Sequence, residues 1–134
     1  MTIFVDASAM ISMMAGEGDA DELADRLAAD RTRLCSAISL WETTAGLCRT
    51  YMFSVPSARA VLQSFIELND LALVSIGERE LELAAQAYAE FGKGRHPAAL
   101  NMGDCFAYAC ARANRARLLF KGDDFTRTDI AAAE

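Results

Sequence analysis

The order of short apolar runs and helical segments constrains the fold of this chain more than any other feature of its sequence. Four short runs are compatible with β-strands, and segments with helical periodicity lie between them. The runs are Ile3 to Val5, Leu34 to Ile38, Leu71 to Ile76 and Arg117 to Phe120. Strands alternating with helices are typical of an α/β fold. We expect a mostly parallel sheet of 4–5 strands flanked by helices, with a weak last strand at Ile130 to Ala133.

Length and composition bound the class of protein. The 134 residues predict one domain, 1–134, because a domain usually takes roughly 100–200 residues. A hydrophobic share of 53% with a charged share of 24% is ordinary for a globular protein. The N-terminus has no basic segment, and no apolar run approaches the roughly 18 residues of a membrane span. We therefore expect a cytoplasmic protein without a membrane partner.

Apolar stripes predict which surfaces are buried. The helix after the second strand carries Trp41, Ala45, Cys48 and Met52 at helical spacing, so we expect these four side chains to face the core. The unbroken run Leu71 to Ile76 is typical of a strand covered on both faces. Other apolar positions could belong to the core or to an interface, namely Met10, Met13, Met14 and Phe53.

Four acids fall at the same edge of this predicted sheet. Asp6 ends the first strand, and Glu42 lies in the expected first turn of the helix after the second strand. Asp104 lies in the first turn of the helix before the last clear strand, which Asp124 follows. In a parallel α/β sheet the carboxyl ends of the strands share one edge, where ligands bind. Asp104 reaches this edge only if its helix starts there after the loop GKGRHPA, and in that case we expect the four carboxylates to converge.

Each acid also has a structural explanation. Asp6 can cap the first helix, and Glu42 stands three residues after Ser39, which is the spacing of a capping box. Asp104 can interact favourably with the helix macrodipole. Asp123 and Asp124 follow the last clear strand, and aspartate is a common turn residue. Asp129 is expected to cap a final turn.

Together, the acids indicate a divalent metal site. Packed carboxylates repel one another, and without a counter-charge some of them would be protonated at neutral pH. Oxygen ligands suit Mg²⁺ or Mn²⁺, whereas His96 is the only histidine and cannot complete a zinc site of the usual spacing. A bound metal of this kind activates water and stabilises charge on a phosphodiester, as in nucleases.

The net charge of −6 argues against a broad nucleic-acid-binding face. Residues 1–30 hold seven acids and one base, whereas residues 93–134 hold seven bases and five acids. A polyanion would have to bind a local patch late in the chain. Candidate phosphate contacts, which could equally be only solvated, are Lys93, Arg95 and His96 in the loop GKGRHPA, and Lys121 and Arg127 beside the last acid.

At these residues the chain resembles a PIN-domain ribonuclease, and specifically a VapC-type toxin of a bacterial toxin–antitoxin pair. The resemblance covers nearly the full length. It rests on FVDASA with Asp6 and Ser8, SLWE with Glu42, GKGRHPAALNMGDCFAYA with Asp104, and LLFKGDDFTRTDI with the fourth acid. Aligned on the phenylalanine of the last motif, Asp124 is the better match for that acid, and Asp123 can substitute for it or assist it.

The resemblance implies a single PIN-like domain that cleaves RNA endonucleolytically. Asp6 and Asp104, with Glu42 and Asp124, would form the catalytic site and hold Mg²⁺ or Mn²⁺. Ser8 and the five candidate phosphate contacts would bind the substrate. The resemblance further implies a homodimer and a cognate antitoxin that blocks the site. The alternative is a catalytically silent module that binds antitoxin or RNA, which metal-dependent cleavage after antitoxin removal would exclude.

Overall fold

The computed structural model describes residues 1–132, which form four strands, six α-helices and one short 3₁₀ helix. None of the helices in this part of the chain is long and apolar enough to cross a membrane. In chain order the elements are β1 (Thr2–Val5), α1 (Ala7–Ala15), α2 (Ala20–Ala28), β2 (Thr32–Ser36), α3 (Ala37–Tyr51), α4 (Val55–Leu68), β3 (Leu71–Val74), α5 (Glu78–Phe91), α6 (Met102–Ala113), β4 (Arg117–Leu119) and the 3₁₀ helix (Asp124–Arg127).

The four strands form one parallel sheet in the order β3-β2-β1-β4. Ile3 of the central strand β1 is in register with Arg33 of β2 and Arg117 of β4. Because successive side chains of a strand point to opposite faces, Phe4 joins the core under α5 and α6. Ile3 joins the core on the other face, under α1, α2 and α4. The predicted α/β fold with helices flanking a parallel sheet is confirmed.

The apolar side chains of α1 belong to this second core. Met10 is fully buried, and Met13 and Met14 pack against the same cluster while partly exposed. Phe53 is half-buried just after α3. Of the two roles considered for these residues, the structure gives Met10 a place in the core.

The prediction that both faces of β3 are covered is wrong. β3 ends at Val74 and is the outermost strand of the sheet, with Leu73 62% exposed. Leu71 reaches the core under α4, whereas Ala72 is exposed. An apolar run reports a local preference for strand structure, but the position of the strand in the sheet depends on long-range pairing.

The predicted buried face of α3 is also wrong. Trp41 is 69% exposed and Met52 is 85% exposed. The inner face instead carries Leu47 together with small or polar residues, among them Thr43, whose hydroxyl donates to the Ser39 carbonyl oxygen at 2.8 Å. A Cβ at Gly46 would lie 2.4 Å from Ile11 Cδ1, so α3 packs closely against α1 at this position. The face with Leu47 and Gly46 is therefore the buried one, and the apolar stripe borders an open groove between α3 and α4.

The C-terminal segment adds little to the sheet. Residues 130–133 were expected to form a last strand, but within the described residues Ala132 makes one isolated parallel bridge to Leu118, and Ala133 lies outside them. The expected capping role of Asp129 is wrong. Its carboxylate accepts from the Tyr108 hydroxyl at 2.5 Å and pairs with Arg112 at 2.5 Å, which ties this segment to α6.

Candidate active site

Asp6 connects the end of β1 to the start of α1. It is 4% exposed and is the N-cap of α1, since its Oδ2 accepts from the Ser8 amide at 3.0 Å. The Ser8 hydroxyl donates to the same oxygen at 2.5 Å. Burial raises the pKa of Asp6 despite these hydrogen bonds, and the charge of Asp124 raises it further. Capping and participation in an acidic site therefore coexist in one residue.

Asp104 occupies the third position of α6 in a capping box. The Asn101 side chain accepts from the Asp104 amide at 2.9 Å, and Asp104 Oδ2 accepts from the Asn101 amide at 3.0 Å. Burial raises the pKa of Asp104 to about 6; the hydrogen bond from Asn101 opposes this shift, and the charges of Asp6 and Asp124 add to it. The side chain thus has one structural hydrogen bond and lies close to two other carboxylates.

Glu42 lies in the second turn of α3, so the expectation of a first-turn position is wrong. The capping box of α3 is formed by Ser36 and Ser39, with Ser39 at the third helical position and not at the cap. Glu42 therefore has no part in helix capping. Burial raises its pKa to about 7, and the charges of Asp6 and Asp104 contribute to the increase.

Gly103 gives the Glu42 carboxylate its place beside α6. A Cβ built at Gly103 would lie 1.8 Å from Glu42 Oε2, which is far inside contact distance. The missing side chain is therefore what lets an acid from α3 lie against the first turn of the helix that carries Asp104. The sequence contained a signal for this role, a glycine directly before the acid in the segment NMGD, but its function depends on Glu42.

Asp124 is exposed and is the first residue of the 3₁₀ helix after β4. Its charge raises the pKa of both Asp6 and Asp104, so it belongs to the same electrostatic neighbourhood. The backbone carbonyl of Asp123 accepts from Thr126 at 2.6 Å, which is a turn contact. Of the two neighbouring acids, Asp124 is thus the one that the structure links to the other carboxylates.

The donor chemistry of the site fits a hard divalent cation. It offers only carboxylate oxygens, and Mg²⁺ is usually held by one or two carboxylates with several waters completing its shell. Within residues 1–132, no group of three acidic, histidine or cysteine side chains is arranged to hold one ion jointly. Because such an ion needs no more than one or two protein carboxylates, the residues present fit it.

In the loop between α5 and α6, two of the predicted phosphate contacts, Arg95 and His96, make contacts within the protein. The Arg95 guanidinium lies over the Tyr88 ring at 5.1 Å, and His96 Nδ1 accepts from the Ala98 amide at 3.0 Å. His96 also packs edge-on against Phe91, with 5.2 Å between ring centroids. Lys93 is exposed. Arg127 is likewise exposed, at the end of the 3₁₀ helix.

Ser8 and Lys121 are engaged with other groups of the protein. The Lys121 amide donates to Ser8 Oγ at 3.0 Å, and the Lys121 ammonium pairs with Glu17 and lies 3.4 Å from Asp19. Glu17 could not be recognised from the sequence, because its partner is 104 residues away along the chain. The predicted contact of Ser8 and Lys121 with substrate therefore competes with contacts already made inside the molecule.

A parallel α/β sheet with acids gathered at its carboxyl edge is an arrangement that suits a nuclease domain, and comparison with known proteins identifies the family. Residues 3–131 match the PIN domain, and the chain belongs to this family. Within it, the chain is of the VapC type, because it is similar over nearly its whole length to curated VapC proteins. It is 39% identical to ribonuclease VapC30 of Mycobacterium tuberculosis, over 95% of each chain. It is 38% identical to ribonuclease VapC of Mycolicibacterium smegmatis, over 96% of this chain and 97% of that one.

Solved structures share the fold at lower sequence identity. The VapBC2 complex of Rickettsia felis, bound to a DNA fragment from its promoter, contains a chain that superposes with a TM-score of 0.76 at 15% identity, covering 100% of this chain and 98% of that chain. Mycobacterium tuberculosis VapC20, described as a sarcin-ricin loop cleaving toxin, gives a TM-score of 0.72 at 22% identity, with 96% of each chain covered. The predicted resemblance to a VapC-type PIN domain is confirmed.

Proposed function

We propose that this protein is an endoribonuclease toxin that hydrolyses RNA phosphodiesters with Mg²⁺ or Mn²⁺ and is neutralised by a cognate antitoxin. The observation that carries the proposal is the group of four acids at the carboxyl edge of the sheet. Asp6, Glu42, Asp104 and Asp124 come from four separate segments of the chain, and their charges act on one another. Curated relatives that are 38–39% identical are named ribonucleases, which supports RNA as the substrate.

The proposed reaction divides the work among these side chains. When bound, a divalent metal would activate a water molecule and stabilise charge on the phosphodiester. Asp6 and Asp104 would hold the ion, with Glu42 and Asp124 beside it and Asp123 as an auxiliary acid. In the metal-free protein the pKa of Glu42 is raised to about 7, and a cation bound among these acids would favour the charged form of its carboxylate. Lys93, Arg95, His96 and Arg127 are the proposed contacts to RNA phosphates.

The partners are part of the same proposal. Two of the structural neighbours are titled as VapBC assemblies and a third as a toxin-antitoxin complex, which supports an antitoxin partner for this chain. We further propose that the protein acts as a homodimer of single-domain chains, residues 1–134, in the cytoplasm.

Cleavage of RNA by the antitoxin-free protein tests the proposal. We expect cleavage with added Mg²⁺ or Mn²⁺, none in excess chelator, and none by Asp104→Asn. Asp124→Asn should lose most of its single-turnover rate and Asp123→Asn less, because asparagine replaces a turn aspartate well but lacks the charge that helps to hold a cation. Melting temperatures show whether each variant is folded.

The outcomes separate the proposal from its rival. Full cleavage in chelator would refute the metal-dependent mechanism. If the folded protein binds RNA or antitoxin but never cleaves RNA at any metal concentration, it is a silent binding module. A larger loss for Asp123→Asn than for Asp124→Asn would assign the fourth acid to Asp123.

A further inference from the structure

Lys121 is held by an acidic turn that lies far from it in sequence. Its ammonium pairs with Glu17, which follows α1, and approaches Asp19 Oδ1 at 3.4 Å. The Glu17 side chain is 25% exposed and that of Asp19 33%, so both carboxylates are partly shielded from solvent. Because Glu17 and Asp19 already neutralise the Lys121 ammonium, an RNA phosphate would have to displace them in order to bind it.

The acidic turn is itself fixed to the rest of the molecule. The Tyr51 hydroxyl, at the end of α3, donates to the second oxygen of Glu17, and the fully buried Ser12 of α1 donates to Asp19. The hydrogen bond from Lys121, followed by that from Tyr51, holds the pKa of Glu17 below its ordinary range. The turn therefore presents an ionised, oriented carboxylate to Lys121.

The backbone of Lys121 leads directly to the acidic site. Its amide donates to Ser8 Oγ at 3.0 Å, and Ser8 Oγ donates to Asp6 Oδ2 at 2.5 Å. Lys121 also lies three residues before Asp124, in the short loop that joins β4 to the 3₁₀ helix. One residue thus connects Asp6, through Ser8, to the loop that carries the fourth acid.

We propose that the Glu17–Lys121 ion pair positions the loop that carries Asp124 against Ser8 and Asp6, so that Lys121 is a positioning residue of the acidic site and not an RNA contact. This inference rests on the proposed metal-binding role of Asp124. Held by its ammonium at one end and its amide at the other, Lys121 restricts the movement of residues 120–124. Without the ion pair, Asp124 would sample more positions and hold a metal ion less well.

The two roles for Lys121 predict opposite effects of Glu17→Gln. If Lys121 contacts phosphate, removing its intramolecular partner frees the ammonium, and RNA binds more tightly while Mn²⁺ affinity is unchanged. If Lys121 is a positioning residue, Glu17→Gln weakens Mn²⁺ binding in the absence of RNA. We expect a loss of about tenfold, the lower end of the range for side chains that orient metal ligands.

The experiment measures Mn²⁺ binding by calorimetry on antitoxin-free protein, together with hydrogen exchange of the Lys121 amide. Glu17→Gln and Lys121→Met should both weaken Mn²⁺ binding and speed exchange, and Lys121→Arg should retain most of the affinity. Glu22→Gln breaks an exposed ion pair with Arg26 on α2 and is the matched control, without effect on either measurement. In an Asp124→Asn background, Glu17→Gln should weaken Mn²⁺ binding no further.

Two results would overturn the inference. If Asp124→Asn weakens Mn²⁺ binding but Glu17→Gln and Lys121→Met leave it and the amide exchange unchanged, the ion pair does not position the loop, and the proposed function stands. If Asp124→Asn itself leaves Mn²⁺ affinity unchanged, the proposed role of Asp124 fails, and this inference fails with it.

Discussion

A single missing side chain, at Gly103, decides where Glu42 can lie. The first turn of α6 carries Asp104, and the space that a Cβ of residue 103 would fill is taken by the Glu42 carboxylate. Glycine has a cost within a helix, roughly 0.5–1 kcal/mol relative to alanine. Gly103 also lets the carboxylates of Glu42 and Asp104 approach each other, and these repel. Both effects lower the stability of the fold, and both are needed to form the acidic site.

Gly103→Ala should therefore inactivate the protein without unfolding it. The new methyl group meets the end of a flexible side chain, so Glu42 moves away and α6 keeps its course. We expect loss of most RNA cleavage, with a free energy of unfolding that is unchanged or higher by up to about 1 kcal/mol. Single-turnover cleavage and urea unfolding measure the two effects.

The control for this variant is Gly77→Ala, at a position where the nearest atom to a built Cβ is Glu80 Oε1 at 3.7 Å, an ordinary contact. It should leave RNA cleavage unchanged. If Gly103→Ala cleaves RNA at the wild-type rate, the position of Glu42 against α6 is not needed for activity.

At the scale of elements, two helices and one strand bring their charged ends to one edge. Asp6 directly follows β1, Asp104 lies in the first turn of α6, and Glu42 lies in the second turn of α3. Burial, followed by repulsion from Asp6 and Asp104, raises the pKa of Glu42 to about 7. For Asp104, burial is again the largest cause of a pKa raised to about 6. The folded protein therefore binds protons more strongly at these groups than the unfolded chain does.

This difference predicts how the stability of the metal-free protein depends on pH. When a carboxyl pKa is higher in the folded state, its contribution to stability is present at low pH and is lost as the pH rises through the folded pKa. In chelator, we expect the free energy of unfolding to fall between about pH 5 and about pH 7.5, through the pKa values of Asp104 and Glu42. Urea unfolding across this range measures the slope.

Variants identify the groups responsible for the slope. Glu42→Gln removes one titrating group and should flatten the fall, whereas Glu22→Gln on the exposed face of α2 should leave it unchanged. A slope that Glu42→Gln does not alter would mean that Glu42 ionises as easily in the folded protein as in the unfolded chain.

At the scale of the whole molecule, the two edges of the sheet have different chemistry. Acids gather at the carboxyl edge, and arginines join the chain segments at the opposite edge. Arg33 donates to the backbone carbonyls of Asp30, Asn69 and Ala28 at 2.8, 3.0 and 3.2 Å. Arg117 Nη2 contacts both oxygens of the Asp30 carboxylate, at 3.0 and 3.2 Å. Since Asp30 precedes β2 and Arg117 begins β4, this pair joins the two strands that flank β1.

Arg117→Met should lower stability strongly, because it leaves the Asp30 carboxylate, 3% exposed, without its partner. Removing one member of a buried pair costs about 3–5 kcal/mol, and we expect the lower end because the Arg117 side chain is 32% exposed. Urea unfolding at neutral pH measures the loss. Glu22→Gln breaks an exposed pair and should cost less than about 1 kcal/mol; equal losses for the two variants would show that burial of Asp30 has no special weight.

The order of the elements and the edge at which the acids meet could be predicted from local patterns in the sequence. Helical and strand periodicities are local, and in a parallel sheet the carboxyl end of each strand lies at the same edge. Asp6 could therefore be placed at that edge from its neighbours alone, whereas Asp104 also required its helix to start at the same edge. The same reasoning put Glu42 one turn too early, because Ser36 and Ser39 both fit the sequence of a helix cap.

Which surfaces meet depends on tertiary packing. The apolar stripe of Trp41 and Met52 predicted a buried face, yet α1 packs against the opposite face of α3, which carries Gly46 and Leu47. Likewise, the pairing of Lys121 with Glu17 joins residues 104 positions apart. Periodicity reports that a side chain prefers burial, but its partner is fixed by the global packing of elements, which must exclude voids and neutralise buried charge together. The contacts around the acidic site likewise depend on the packing of the whole molecule and could not be predicted from periodicity.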